Sequence, residues 1–340
     1  MYDFKSEINK IEDVVQIKID VPFAVKYVCL YLIEVNGNKV LIDAGLNMGN
    51  WKRKFFSALH DIELSINNIN YCIISHIHID HIGLLRTLKH KNPEMKIIMN
   101  DITHKILEWE TNEKNIDEMK KEAKKVAALM VKYGFTEKEA QKVVQFFTFW
   151  PRYIQYQKPD MIVNDGDTIL DNLDVIWTPG HSFGHICIFD RKKRYLFAGD
   201  HILSRITPHI GNFVISPALR NKYETYNFDN ILDHYLKSLD RIDKLEPKII
   251  FPAHQEIIYN PHQRILEIKK HHENRLQEIS SVISNNPLTP FEISKIHFGN
   301  NLDEINSYMA MSEVLGHLLY LDYQNKVNKV EKNGKILFFT

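Results

Sequence analysis

Charge of one sign, cysteine and long apolar runs are all in short supply here, and each shortage removes a class of protein. Lys and Arg total 43 and so do Asp and Glu, so no overall field recruits nucleic acid or an acidic membrane. Cys29, Cys72 and Cys187 are odd in number, far apart and each set in an apolar stretch. That excludes a disulfide scaffold and a paired-Cys metal knuckle, and it reads as buried free thiols in a reducing cytoplasm. No apolar run approaches the roughly 18 residues of a membrane helix. The opening residues, Met1-Tyr2-Asp3-Phe4-Lys5-Ser6-Glu7, lack the apolar stretch of a signal peptide. Repeats and low-complexity segments are missing too.

What is present is an ordinary globular composition, 44% hydrophobic and 25% charged, over 340 residues. That length predicts one large core and one smaller unit. The first hundred residues are strand-rich. Val25 to Val35 and Lys39 to Asp43 flank Asn36-Gly37-Asn38, a strong hairpin signal. Trp51, Phe55, Ala58 and Leu59 recur at helical spacing, Tyr71 to Ile74 is a short apolar strand, Ile82 to Lys89 reads as a helix, and Lys96 to Met99 as the next strand. Between about 101 and 160 the chain turns Lys/Glu-rich and helical, ending in aromatics that include Phe146, Phe147, Phe149, Trp150, Tyr153 and Tyr156. This reads as an insertion of two or three helices. Strands resume around Asp165-Gly166-Asp167, and a long helix follows Pro261. Thr289-Pro290-Phe291-Glu292 has the form of an N-cap, N1 proline and capping box. A last hairpin turns at Asn333-Gly334. The expected division is therefore a core over 1–260, carrying the insertion, and a tail over 261–340 made of a long helix and a small winged-helix-like unit.

The 17 histidines invite a reading of their spacing. The run Ser75-His76-Ile77-His78-Ile79-Asp80-His81 follows directly on the strand ending at Ile74. On extended chain, residues two apart share a face, so His76 and His78 emerge together while Asp80 and His81 turn toward a second point. Three more candidates each sit just past an apolar strand: His181, Asp200 and His254. Site residues in layered α/β folds gather at such strand ends. The seven side chains suffice for two metal ions, with Asp200 able to bridge. Imidazole with carboxylate suits zinc first, with iron or manganese as alternatives. Asp43, after Val40-Leu41-Ile42, fits a carboxylate that orients a ligand histidine or a solvent molecule. Asp43, Asp80 and Asp200 are the candidate catalytic carboxylates. His185 reads as a supporting or core histidine, and His271-His272 as a solvated helix face. Arg205 and His209, soon after Asp200, are candidates for touching substrate, as are Phe147, Trp150 and Tyr153 at the end of the insertion.

Asp43, the His76-to-His81 run, His181, Asp200 and His254 match in order the five motifs of the metallo-β-lactamase superfamily, and over about Tyr27 to His254 the chain resembles its members. The resemblance implies an αββα sandwich with the site along one edge. It implies one metal on His76, His78 and His181, a second on Asp80, His81 and His254, and Asp200 between them. Ser75 stands where Thr is common, and Asp200 where some zinc β-lactamases have Cys. The implied chemistry is hydrolysis by a hydroxide held between two divalent cations, since a metal lowers the pKa of bound water from about 15.7 to about 7.

Esters, thioesters, lactones and phosphodiesters all suit that chemistry. The tail resembles the winged-helix-like unit of a branch that includes an endoribonuclease, so RNA cleavage is one alternative. From Ser281 to Thr340, however, five Lys face six Asp and Glu, and phosphate recognition needs clustered cations. The tail thus reads as a packing or homodimerisation module. A mononuclear-iron dioxygenase is the other alternative. The favoured reading is a cytoplasmic metallo-hydrolase of a small ester-type molecule, with nucleic acid and membrane as unfavoured partners.

Overall fold

The computed structural model describes residues 3–211, 223–226, 228–284 and 286–340. It divides into two units, each assembled from separate stretches of chain. The first comprises Met1–Glu108, Ile154–Pro208 and Arg241–Arg264; the second comprises Trp109–Tyr153, His209–Asp240 and Ile265–Thr340.

The first unit holds two sheets. One contains β1 (Ser6–Ile11), β2 (Val14–Asp20), β3 (Tyr27–Val35), β4 (Asn38–Ile42), β5 (Tyr71–Ile73), β6 (Lys96–Asn100) and β7 (Met161–Val163), side by side in that order. Pairing is antiparallel as far as β4 and parallel from there to β7. The other contains β8 (Thr168–Ile169), β9 (Leu173–Trp177), β10 (Ile186–Asp190), β11 (Tyr195–Gly199) and β12 (Ile249–Pro252), in the order β12-β11-β10-β9-β8. Here β11 and β12 run parallel.

Alternation along β3 explains why its sequence is almost continuously apolar. Val28, Leu30 and Leu32 enter a core shared with α1 (Trp51–Asp61) and α3 (Leu85–Lys91), whereas Cys29, Tyr31 and Ile33 enter the core shared with the second sheet. A strand buried on both faces has no polar face to show. Each such side chain contributes roughly 1.5–3 kcal/mol when fully buried. The hairpin between β3 and β4 turns on Asn36 and Gly37, both at positive φ (49° and 76°), as an Asn-Gly turn requires. The helix expected over Ile82 to Lys89 is two pieces, α2 (Ile79–Ile82) and α3. Between them Gly83 lies against the backbone of Gly45 and Asn47, where a Cβ would come within 2.7 Å of the Gly45 carbonyl oxygen.

The second unit is mainly helical. It takes the end of α4 (Asp101–Glu110), then α5 (Ile116–Lys132), α6 (Glu137–Phe149), most of α7 (Ile231–Lys244) and of α8 (Pro261–Ile283), α9 (Pro290–Phe298), α10 (Glu304–Tyr323) and the hairpin β13 (Asn328–Lys332) with β14 (Lys335–Phe339). Thr289 and Glu292 form the expected capping box, with Pro290 in the first turn. Asn333 and Gly334 turn the hairpin at φ 52° and 72°. The insertion and the tail, expected as separate additions, share one core: Met130, Phe135 and Val143 pack with Ile283, Met311 and Phe338. His272 corrects the expectation of a solvated face. It is buried, with Nδ1 3.1 Å from Nε2 of the buried His317. Among the described residues no helix is long and apolar enough to cross a membrane.

Candidate metal centre

Strand ends build the site, all within the first unit. Asp43 follows β4, the run from Ser75 to His78 follows β5, and Asp80 and His81 lie in the single turn of α2. His181 follows β9, Asp200 follows β11 and His254 follows β12. Cross-links between these ends fix their spacing. Ala253 N donates to Gly199 O at 2.9 Å, Ile186 N to Ser75 O at 2.9 Å, and Asp43 N to Ile73 O at 2.8 Å. Gly199, at φ +49°, must be glycine: a Cβ there would lie 2.6 Å from Nε2 of His185.

The seven side chains read from the sequence come together in two groups. His76, His78, His181 and Asp200 form one, and Asp80, His81 and His254 the other; within each, one ligand atom per residue lies within 4.8 Å of the rest. In the first group Nδ1 of His78 is 2.9 Å from Nε2 of His76 and 3.0 Å from Nε2 of His181. Three ring nitrogens this close repel as lone pairs unless a proton or a cation lies among them. In the second, Nε2 of His254 is 3.4 Å from Asp80 Oδ2, and Nε2 of His81 is 3.8 Å from Asp80 Oδ1. Asp200 divides its oxygens. Oδ2 is 3.3 Å from His181 Nε2 and 3.9 Å from His76 Nε2, while Oδ1 is 3.3 Å from His254 Nε2 and 3.5 Å from His81 Nε2.

The supporting hydrogen bonds decide which nitrogen faces inward. The buried carboxylate of Asp43 accepts from Ser75 N through Oδ1, and from Ser75 Oγ and His81 Nδ1 through Oδ2, each at 2.8 Å. That leaves His81 Nε2 toward Asp200. His254 Nδ1 donates to Tyr27 O at 2.6 Å, so its Nε2 also faces inward. A carboxylate or carbonyl that orients an imidazole in this way is a regular partner of metal-ligating histidine. Among the described residues, the buried His81 Nε2 and Asp200 Oδ1 have no hydrogen-bond partner. Buried polar atoms are almost always satisfied, so two such atoms facing each other across 3.5 Å fit a divalent cation.

Electrostatics agree. Burial pulls the His81 imidazolium down, but Asp200, Asp43 and Asp80 outweigh it and hold the pKa up at about 10. His254 is likewise raised against its burial by Asp200 and Asp80. Asp200 is pushed up by burial, yet His254 and His81 bring it well below the ordinary carboxylate range. His76 moves the other way, driven down by burial and by the neighbouring His81 and His78. A pocket that concentrates carboxylates on buried imidazoles stabilises positive charge, and a metal competes there with protons.

His185, read as a supporting or core histidine, has a definite supporting place. Its buried ring accepts from Asp200 N at Nε2 (3.1 Å) and donates from Nδ1 to Thr178 Oγ1 (2.8 Å), so it anchors the backbone of Asp200. Ser75, within the histidine run, anchors Asp43 through its N and Oγ; the Tyr27 carbonyl is an anchor that no motif marks, because partners of this kind are recruited by geometry.

The candidate substrate residues fall in both units. Arg205 is exposed and pairs with Glu256 at 2.7 Å. His209 belongs to the second unit, where Nε2 lies 2.9 Å from Ser312 Oγ and 3.0 Å from Met309 O. Phe147 is partly buried in that unit's core with its ring 5.2 Å from Tyr308, while Tyr153 is 78% exposed. The Trp150 side chain lies outside the described residues.

Similarity to known proteins agrees with this geometry. Residues 27–254 match the metallo-beta-lactamase superfamily, and residues 276–340 match a metallo-beta-lactamase-like C-terminal domain. The chain therefore belongs to the metallo-beta-lactamase superfamily. A Bacillus subtilis protein named "Probable metallo-hydrolase" is 26% identical over 97% of this chain and 98% of its own length. A metallo-beta-lactamase family protein from Thermus thermophilus shares the fold over 97% of this chain and 99% of its own, with a TM-score of 0.74 at 23% identity. A beta-lactamase domain protein from Burkholderia ambifaria does so over 98% and 93%, with a TM-score of 0.78 at 20% identity.

Proposed function

We propose that this chain holds two divalent cations, zinc in the first instance, and hydrolyses a small ester-type substrate: a thioester, a lactone or a related ester. The observation that carries the two-cation reading is the division of Asp200, one oxygen toward each ligand group. When bound, such a pair of cations makes water nucleophilic near neutral pH and polarises the scissile carbonyl.

The chain's own residues supply the rest. Asp43 holds His81 with Nε2 inward, the Tyr27 carbonyl does the same for His254, and His185 fixes the backbone of Asp200. Asp80 and Asp200 are the carboxylates placed to orient water and to take a proton, at Asp80 Oδ2 and at Asp200. The small-substrate assignment rests on charge. Asp101 to Asp160 carries eleven Lys and Arg against ten Asp and Glu, and the segment from Ser281 carries five against six. A polyanion would need clustered cations for its phosphates. The three buried free thiols fit a reducing compartment, and we assign the enzyme to the cytoplasm.

The test is a panel of thioesters, lactones, phosphodiesters and RNA with metal-replete protein. We expect turnover of an ester-type member, with a rate nearly flat in salt. Specific RNA cleavage that falls steeply with salt would overturn the assignment.

A further inference from the structure

The two loops that leave Asp200 and His254 are clasped to each other by side chains that no motif marks. Gln255, immediately after His254, has φ +68°, a left-handed backbone that side chains other than glycine rarely adopt. From that backbone its Oε1 accepts from Arg205 N at 2.8 Å, with Ile206 N at 3.4 Å. The next residue, Glu256, completes the clasp. Its Oε2 accepts from Ser204 Oγ at 2.9 Å, its Oε1 from Arg205 Nη2 at 2.7 Å, and its own N donates to Ser204 Oγ at 3.2 Å. From the other side Arg264 donates to the carbonyls of Leu203 (2.7 Å) and Ile206 (2.9 Å). The segment that follows Asp200 is thus held at its backbone amides by the residue next to His254.

We propose that Gln255 is a positioning residue for the metal group of Asp80, His81 and His254. By pinning the loop after Asp200 to the loop after His254, it sets the 3.3 Å gap between Asp200 Oδ1 and His254 Nε2. The strained backbone is retained because it aims the amide oxygen at Arg205 N. Its effect falls on the second group more than on the first, since His254 adjoins Gln255 in the chain, whereas in the first group only Asp200 belongs to a clasped loop and His76, His78 and His181 follow β5 and β9. The exposed Arg205 takes part through its backbone N and its pair with Glu256. The inference rests on the two-cation reading above.

The experiment measures zinc stoichiometry and affinity by chelator competition in the full-length parent and in Gln255→Ala, Gln255→Gly and Gln255→Glu. Melting of each metal-free protein is followed alongside. Gln255→Gly relaxes the left-handed backbone but loses the acceptor; Gln255→Glu keeps an acceptor oxygen. Expected is a parent with two tight zinc ions, and Ala and Gly variants whose second ion is bound about 10–100-fold more weakly, the range for groups that orient a ligand. The first ion and the metal-free melting temperature should be unchanged, and Gln255→Glu should restore parental binding. Parental affinity for both ions in the Ala and Gly variants would overturn the positioning role. So would equal loss of both ions with a lowered metal-free melting temperature, which marks a structural strut. A parent that binds only one zinc would instead overturn the two-cation reading itself.

Discussion

The metal centre of the first unit buries His81 and His254 beside carboxylates, whereas the second unit buries His272 and His317 without that charge. His81 lies against Asp43, Asp80 and Asp200 and is held at about 10. His272 and His317 are as deeply buried, yet burial takes His272 down to about 2 and His317 to about 3. The nearby Glu313 carboxylate is taken by Arg275 at 2.8 Å, so it offers them nothing. They pair with each other as neutral rings instead, with His272 Nε2 buried and without a hydrogen-bond partner among the described residues. His317 Nδ1 donates to Glu313 O at 2.8 Å, which leaves Nε2 to accept from His272 Nδ1. Among the described residues, the groups of three or more that could hold a cation are the two in the first unit. Burial alone therefore does not mark a functional histidine. Unspent carboxylate charge beside it does.

The strongest break in that contrast is to remove the shared carboxylate. Asp200→Ala should lower bound metal below one per chain and reduce turnover by more than the about 10–100-fold that an orienting partner costs. His76→Ala or His181→Ala should instead strip one ion, and elemental analysis of each variant separates the two cases. Asp43→Asn comes next. It keeps an oxygen for Ser75 but loses the charge that holds His81, so metal should largely remain while turnover falls about 10–100-fold. An unchanged rate would make Asp43 structural only.

In the second unit the expected effect is on stability. His272 and His317 have folded pKa values far below the ordinary 6.5, so the unfolded chain binds more protons as pH falls below that value. Stability supplied by their neutral forms is complete above about 6.5 and is lost progressively toward the folded values. His272→Gln should remove about one proton from the uptake on unfolding in that window, seen as a shallower loss of unfolding free energy between neutral and acid pH. An unaltered slope would mean that the pair does not stay neutral. The smallest effects sharpen the reading of the aromatic cluster. Phe147→Ala should cost about 1–3 kcal/mol of stability, and the exposed Tyr153→Ala less than about 0.5 kcal/mol, in denaturant unfolding.

Much of both units is legible from local chemistry. The turns at Asn36-Gly37 and Asn333-Gly334 and the capping box at Thr289 are short-range signals, and each is where the sequence reading puts it. The run from His76 to His81 is legible because a two-residue period and a strand end dictate a shared face. His272 was not, since a helix that buries two sides gives no single apolar stripe, and His271-His272 has no local mark of which ring turns inward. The common core of insertion and tail joins Met130 to Phe338 across about two hundred residues of chain, beyond the reach of any periodicity. The anchoring of Asp200 by His185, and the clasp of Gln255 onto Arg205, depend on which strand ends become neighbours. Nothing in either residue's own surroundings announces that.

The central claim is that one carboxylate, Asp200, serves two cations at once. Element-specific metal analysis of the purified, metal-replete protein tests it directly. The account predicts two divalent ions per chain, with zinc the principal element. A value that stays at one or below would contradict it and favour the mononuclear-iron alternative.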